Sequence, residues 1–236
     1  MARRQNIRGK ILQFMLVLVP LVVFVTFVLQ KYSSPFQDVK DDMRRALFKS
    51  SSTSTQTSKG PSKAGTCVMK TDCAADHFSF FIQSGAANVV APKICFQNKL
   101  LLGTIKNNAG PGINIVIVNG KTGEVIKTAF FNMYNGDVKP LIALLKGVET
   151  GSVVLMASYD DPATKLSEDA RKLITEFGSS NVKSLGFRDN WVFVGGKGAG
   201  VKSNFEKYLK NDGKNNKYES WPELVELQGC IPKYVE

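Results

Sequence analysis

Histidine is almost missing from this sequence: His77 is the only one in 236 residues. One histidine at the start of an apolar stretch leaves little room for histidine-based acid–base or metal chemistry. Cysteine is also scarce, at four, so the chain is not a small scaffold that substitutes bridges for a core. The G-x-S-x-G and H-E-x-x-H signatures are absent, and so is any N-x-[ST] acceptor for N-glycans. The run Gly195-Gly-Lys-Gly-Ala-Gly200 invites a phosphate-loop reading, but Val201 stands where G-x-x-x-x-G-K-[ST] needs its lysine. A turn after a strand accounts for it better. No internal repeat is present.

The excess positive charge is unevenly distributed. Residues 1–66 hold 11 Lys+Arg against 3 Asp+Glu, whereas residues 67–236 hold 20 against 17. The folded part is therefore close to balanced, which argues against a nucleic-acid partner.

The basic N-terminus precedes an apolar run. Arg3, Arg4, Arg8 and Lys10 flank Ile11 to Leu29, which is interrupted only by Gln13 and Thr26, with Pro20 mid-run. As a helix it would be about 28 Å long, one hydrocarbon thickness. A basic flank stays cytosolic, so the chain beyond the apolar run is translocated. Residues 1–30 thus read as a signal peptide or a signal anchor. The run is long for a signal peptide and shows no A-x-A cleavage pattern, which puts the anchor level with the signal peptide. Residues 31–66, ending in SSSTSTQTSKGPSKAG, read as a Ser/Thr-rich linker or stalk that cannot bury enough apolar surface to fold. A membrane is contacted only through 11–29, and only if that segment is uncleaved. The protein is expected in the secretory pathway and outside the cell, with a type II Golgi anchor as the alternative.

Residues 67–236 carry the domain. His77–Gln83, Lys93–Phe96, Lys99–Leu102, Ile113–Val118, Glu124–Phe131, Ser152–Ser158 and Trp191–Val194 read as strands. NGKTG after Val118 marks a hairpin turn. Asp137 caps a predicted helix through Lys146, and Ser167 caps a second that Gly178 ends. Phe205–Leu209 reads as a short third helix. The expected class is α+β, a sandwich of mostly antiparallel sheet with flanking helices.

Cys67, Cys73, Cys95 and Cys230 lie on the translocated, oxidising side. They read as two disulfides. Spacing leaves three pairings open, and the C-x₂₋₄-C pairs of zinc sites are missing. Two polar clusters stand at strand ends: Tyr159-Asp160-Asp161-Pro162 and Phe187-Arg188-Asp189-Asn190-Trp191. Carboxylates, a guanidinium and a nearby Trp suit sugar binding, by accepting from hydroxyls, donating in a fork and covering C–H groups. The competing account is a structural Arg–Asp pair, with Asp160 or Asp161 capping the next segment.

Several stretches together carry a resemblance: SGAANVVAPKICF (84–96), GINIVIVNGKTGEV (112–125), SYDDPATKL (158–166), LGFRDNWVFVGGKG (185–198) and NKYESWPELVELQGCIP (216–232). The chain is similar to the cytokine-like family of the interleukin-like EMT inducer and pancreatic-derived factor, over nearly all of 67–236. The resemblance implies a β-β-α fold of two antiparallel sheets, a GG-type lectin domain of the kind also found in the stem of protein O-mannose N-acetylglucosaminyltransferase. It implies the pairing Cys67–Cys95 and Cys73–Cys230. It makes Asp160 and Arg188 the carbohydrate-contacting residues, with no catalytic residue, no metal and no cofactor. It implies a non-enzymatic signalling protein with a cell-surface receptor as partner, or a lectin module acting on glycans. Two departures stand out. An Arg of the sugar-contacting set, just before Gly112, is Pro111 here. An unpaired cysteine that some relatives carry is Val194 here, so no covalent dimer is expected.

Overall fold

The computed structural model describes Val19, Pro20, Val23, Phe24, Thr26, Cys67 and residues 72–234. The chain divides into two units, 1–60 and 61–236. In the first, the five described residues are helical and exposed. The rest of the predicted 11–29 segment, and the 31–66 stalk, lie outside the described residues. Among the described residues no helix is long and apolar enough to cross a membrane.

The second unit contains nine strands and two helices among its described residues. In chain order they are β1 (His77–Gln83), β2 (Lys93–Phe96), β3 (Lys99–Leu102), β4 (Gly112–Asn119), β5 (Val125–Phe131), α1 (Lys139–Lys146), β6 (Ser152–Tyr159), α2 (Glu168–Glu176), β7 (Asn190–Gly196), β8 (Phe205–Leu209) and β9 (Glu226–Pro232). Two sheets form, with orders β3-β2-β1-β9 and β5-β4-β6-β7-β8. Every ladder is antiparallel.

The layers follow from side-chain alternation. Phe78, Phe80, Ile82, Ile94, Phe96 and Leu102 of the smaller sheet bury against Val116, Val118, Leu155, Ala157, Val192 and Val194 of the larger. Neighbouring positions on the larger sheet, among them Ile113, Ile115, Met156 and Phe193, bury against Leu141 and Leu145 of α1 and Ala170 and Ile174 of α2. The larger sheet is thus covered on both faces. That is why β4 and β6 are apolar nearly throughout rather than alternating. The architecture is a β-β-α sandwich of the α+β class.

Local rules set most element boundaries. The Ser167 hydroxyl accepts from Ala170 N–H at the start of α2, and Gly178 takes a φ of 104° two residues past its end. α1 starts one residue later than the sequence suggested. Its cap position is Val138, and Asp137 accepts instead from Lys139 N–H at 2.9 Å. The predicted helix at Phe205–Leu209 is a strand. Phe205, Tyr208 and Leu209 have helical spacing, but five residues cannot nucleate a helix alone. Here the free edge of β7 offers a full ladder, with Trp191 opposite Tyr208. The Ser203 hydroxyl donates to Val194 O and accepts from Phe205 N–H, setting the strand's start.

Candidate functional site

The ends of three neighbouring strands meet at one end of the larger sheet. Gly112 pairs with Tyr159, so the start of β4 lies beside the end of β6. Ala157 pairs with Val192, which brings the start of β7 to the same end. Pro111, Asp160 and Arg188 each stand one or two residues outside these termini. Antiparallel pairing therefore gathers positions 111, 160 and 188 from across the sequence.

Each cluster is built locally. Tyr159 lies against Gly85, where any Cβ would strike its ring, and donates its hydroxyl to Asn88 O at 3.0 Å. Burial, and then the nearby Asp160 charge, raise the Tyr159 phenol above its ordinary range. It stays a neutral donor. Asp160 turns the chain at a φ of 57°. No donor from the described residues reaches its carboxylate. Asp161 does the opposite job: buried, it accepts from Ala163 N–H at 3.0 Å and Thr164 N–H at 3.3 Å. The capping half of the competing account thus belongs to Asp161, whose second carboxylate oxygen is buried without a partner.

The Arg–Asp pair of that account does not form. Among the described residues no carboxylate comes within ion-pairing distance of Arg188. Its guanidinium lies 4.0 Å from the Trp221 ring and 4.7 Å from the Phe187 ring. Arg188 also has a φ of 61°, a conformation that costs a non-glycine residue about 1–3 kcal/mol unless its surroundings hold it. Asp189 supplies that hold. Its buried carboxylate accepts from Gly186 N–H, Tyr208 Oη–H and Asn211 N–H at 2.6–2.8 Å. Burial and the bond to Asp189 push the Tyr208 phenol up to about 12.

Trp221 reaches the site on a turn closed by reciprocal Tyr218–Trp221 backbone bonds. Asn190 pins the following residues by donating to Glu223 O at 2.7 Å. The Trp suggested by the sequence, Trp191, has another role. It is fully buried, stacked on Phe193 at 5.7 Å, with its indole N–H on Glu206. Trp191 cannot cover a ligand. Trp221, more than thirty residues from Arg188 in sequence, is the tryptophan at the site, and no local pattern could have linked the two.

The remaining sequence features fall elsewhere. His77 is half-buried, with Nδ1 2.7 Å from Asp76. That bond first of all lowers the Asp76 carboxyl. A groove of about 320 Å³ beside it is lined by Asp72, Cys73, His77, Ser79, Gln97 and Asn98, and shares no residue with the site above. In the Gly195–Gly200 run, the Lys197 ammonium donates to Lys146 O, so this lysine is occupied by the fold. Cys67 bonds Cys95, and Cys73 bonds Cys230. No cysteine is free. Among the described residues no group of three His, Cys, Asp or Glu could hold a metal.

Comparison with known proteins adds the family. Residues 111–199 match the family model described as interleukin-like EMT inducer. Protein FAM3C of Danio rerio is 57% identical over 166 residues, 70% of this chain and 73% of the relative. Protein FAM3C of Homo sapiens is 54% identical over 167 residues, covering 71% and 74%. Protein FAM3A of Mus musculus is 50% identical over 167 residues, covering 71% and 73%. The chain belongs to the interleukin-like EMT inducer family.

The family match takes in Pro111, Asp160 and Arg188, whereas Trp221 lies beyond it. In this interleukin-like EMT inducer domain Pro111 is exposed at the mouth of β4. It brings no side-chain donor to Asp160. Just behind it, buried Asn114 holds both the N–H and the carbonyl of Gly110. The loop carrying Pro111 is therefore rigidly placed. What remains is an acceptor, Asp160, just past the end of β6, and a cationic side chain, Arg188, just before the start of neighbouring β7, with the rings of Phe187 and Trp221 against the guanidinium.

Proposed function

We propose that this chain is a secreted, non-enzymatic, cytokine-like signalling protein acting at a cell-surface receptor. The observation that carries this is identity of 50–58% to FAM3 proteins over about 70% of the chain. The basic flank and apolar run at 11–29 agree with entry into the secretory pathway. Two measurements test it. Protein collected from the medium of expressing cells should begin beyond residue 29, and its labelled form should bind cells saturably, with displacement by unlabelled protein. Material that starts at Met1 and stays in membranes would defeat the soluble reading in favour of a Golgi-anchored one.

A second reading, carbohydrate binding on the same domain, is favoured by the placement of Asp160 and Arg188 at neighbouring strand ends. Both take positive φ at adjacent strand ends, and strain of this kind gathers at functional sites. An unengaged carboxylate accepts two sugar hydroxyls, while a guanidinium held against aromatic rings donates edge-on. Pro111 leaves the site one donor short, so binding is weak. On a glycan array the wild type gives signal, and Asp160→Ala or Arg188→Ala removes it. Pro111→Arg restores a charged donor and raises affinity by about tenfold, worth about 1.4 kcal/mol. No sugar signal from any of these proteins rules the reading out and leaves the receptor proposal intact.

A further inference from the structure

Positive charge is concentrated in one stretch of the domain. Residues 197–217 hold six lysines and no arginine against two acids, Glu206 and Asp212. The remainder of 67–236 holds 14 Lys+Arg against 15 Asp+Glu, so the domain's whole positive balance sits in this stretch. Two of the six lysines are occupied: Lys197 donates to Lys146 O, and Lys217 pairs with Glu223 at 3.0 Å. The other four, Lys202, Lys207, Lys210 and Lys214, are exposed, and among the described residues none of them is in an ion pair. Neither acid is free to cancel them. Glu206 turns to the helix side, onto residues 179–181 and Trp191. Asp212 accepts from Lys214 N–H and the Asn215 amide at 3.0 and 2.7 Å. Those two bonds, and then the Lys210 charge, lower its carboxyl.

We propose that the β8 edge is a binding surface for a linear sulfated polysaccharide, with Lys202, Lys207, Lys210 and Lys214 as its contacts. β8 is the last strand of its sheet. Lys202 stands before it, Lys207 lies within it opposite Val192, Lys210 follows it, and Lys214 sits in the loop beyond. The strand alone extends over about 17 Å, so the charges form a row rather than a knot. The backbone that carries them is fixed. Ser203 N–H donates to Gly178 O at 2.9 Å, and its hydroxyl donates to Val194 O. Asn211 N–H donates to buried Asp189 at 2.7 Å, Asp212 N–H donates to the Asn216 amide oxygen, and the Asn216 amide N–H donates to the Asn211 side chain. Only lysine side chains need ordering on binding, which keeps the entropic cost low. A lysine on an edge strand also discourages strand pairing. That accounts for Lys207 but not for Lys202, Lys210 or Lys214, which lie outside the ladder. The chemistry selects among polyanions. Lysine ammoniums suit sulfate or phosphate oxygens as point charges. Phe205 and Tyr208 are half-buried, so no ring in this stretch is free to stack on bases. Val201 is its one exposed large apolar residue, which gives a bilayer little to bury. Two disulfides suit an oxidising compartment, where sulfated glycans are the abundant polyanions. This surface is separate from Asp160 and does not rest on the reading of that site.

Immobilised heparin is the probe, with hyaluronan, which carries carboxylates and no sulfate, beside it. The full-length chain is expected to be retained on heparin at physiological salt and to pass through hyaluronan. Lys202→Gln, Lys207→Gln, Lys210→Gln and Lys214→Gln together should weaken heparin binding about tenfold or more, and should lower its salt dependence by about one counterion per lysine. Glutamine at Lys99, Lys106, Lys127 and Lys139, four exposed lysines on or beside β3, β5 and α1, removes the same charge. That control should change binding by less than about twofold, because salt screens charges more than about 10 Å away. Residues 1–66, with their 11 Lys+Arg, are common to all these proteins, so the comparison isolates the edge. Asp160→Ala should bind heparin as the wild type does, which tells a failed sugar site from a failed polyanion surface. Near-UV circular dichroism from the buried Trp191–Phe193 stack reports whether each variant is folded. The proposal is overturned if the folded wild type is not retained on heparin, if hyaluronan retains it equally, or if the two quadruple variants weaken alike. It is equally overturned if duplex DNA or phosphatidylserine vesicles bind as tightly as heparin, with the same loss in the β8-edge variant.

Discussion

At Glu206 one carboxylate serves four donors: the Ser179 hydroxyl, Ser180 N–H, Asn181 N–H and the Trp191 indole. Removing it leaves several of these unmet in a part-buried setting. Glu206→Ala is therefore expected to cost about 2–4 kcal/mol, read from the urea midpoint. Tyr208 makes a pH-dependent contribution. Its phenol donates to buried Asp189 at 2.8 Å and is pushed up to about 12 from 10.0. The raised value means the fold favours the neutral form. That stability is fully present below pH 10 and is lost as pH climbs from 10 towards 12. Tyr208→Phe should lower stability by about 1–2 kcal/mol at pH 7. It should also remove the latest-ionising tyrosine from an alkaline titration followed at the tyrosinate absorbance. Both effects should soften the loop that carries Arg188.

At the scale of elements, strand and helix positions were legible where one face or one cap decided them. His77–Gln83 alternates between half-buried and buried residues along its whole length, and Ser167 caps α2 in the way its side chain suggests. The segment 205–209 was not legible, since its spacing fits a helix and its fate depends on the free edge of β7. Gly112 belongs to this scale as well. It opens β4 at a φ of 99°, and a Cβ there would run into the Phe131 carbonyl. Gly112→Ala should therefore cost about 3 kcal/mol or more. It should also shift Pro111 relative to Asp160, so any glycan signal should fall along with thermal stability.

Over the whole molecule the two disulfides do unequal work. Cys73–Cys230 spans 157 residues and ties the lead-in to β1 to β9, whereas Cys67–Cys95 spans 28. Loop-closure entropy assigns them about 5 and about 3.5 kcal/mol respectively. Replacing Cys73 and Cys230 together by serine should lower the thermal midpoint more than replacing Cys67 and Cys95. The reverse order in a melting experiment would show that native contacts, not chain entropy, set their worth.

Composition and pattern alone determined a good deal here: a near-neutral α+β domain, most of its strands and helices, and its oxidised cysteines. These are properties of single residues or of short windows, where burial period and cap chemistry act locally. Family membership and the β-β-α layering were also within reach, because long stretches such as GINIVIVNGKTGEV are linear and sit whole in the sequence. Tertiary structure decided the rest. It separated Asp160, left unengaged, from Asp161, which caps the chain. It sent Trp191 into the core and brought Trp221 onto Arg188. Each of these depends on which strand ends antiparallel pairing brings together, and on which face another layer covers, and neither is carried by any one stretch of sequence.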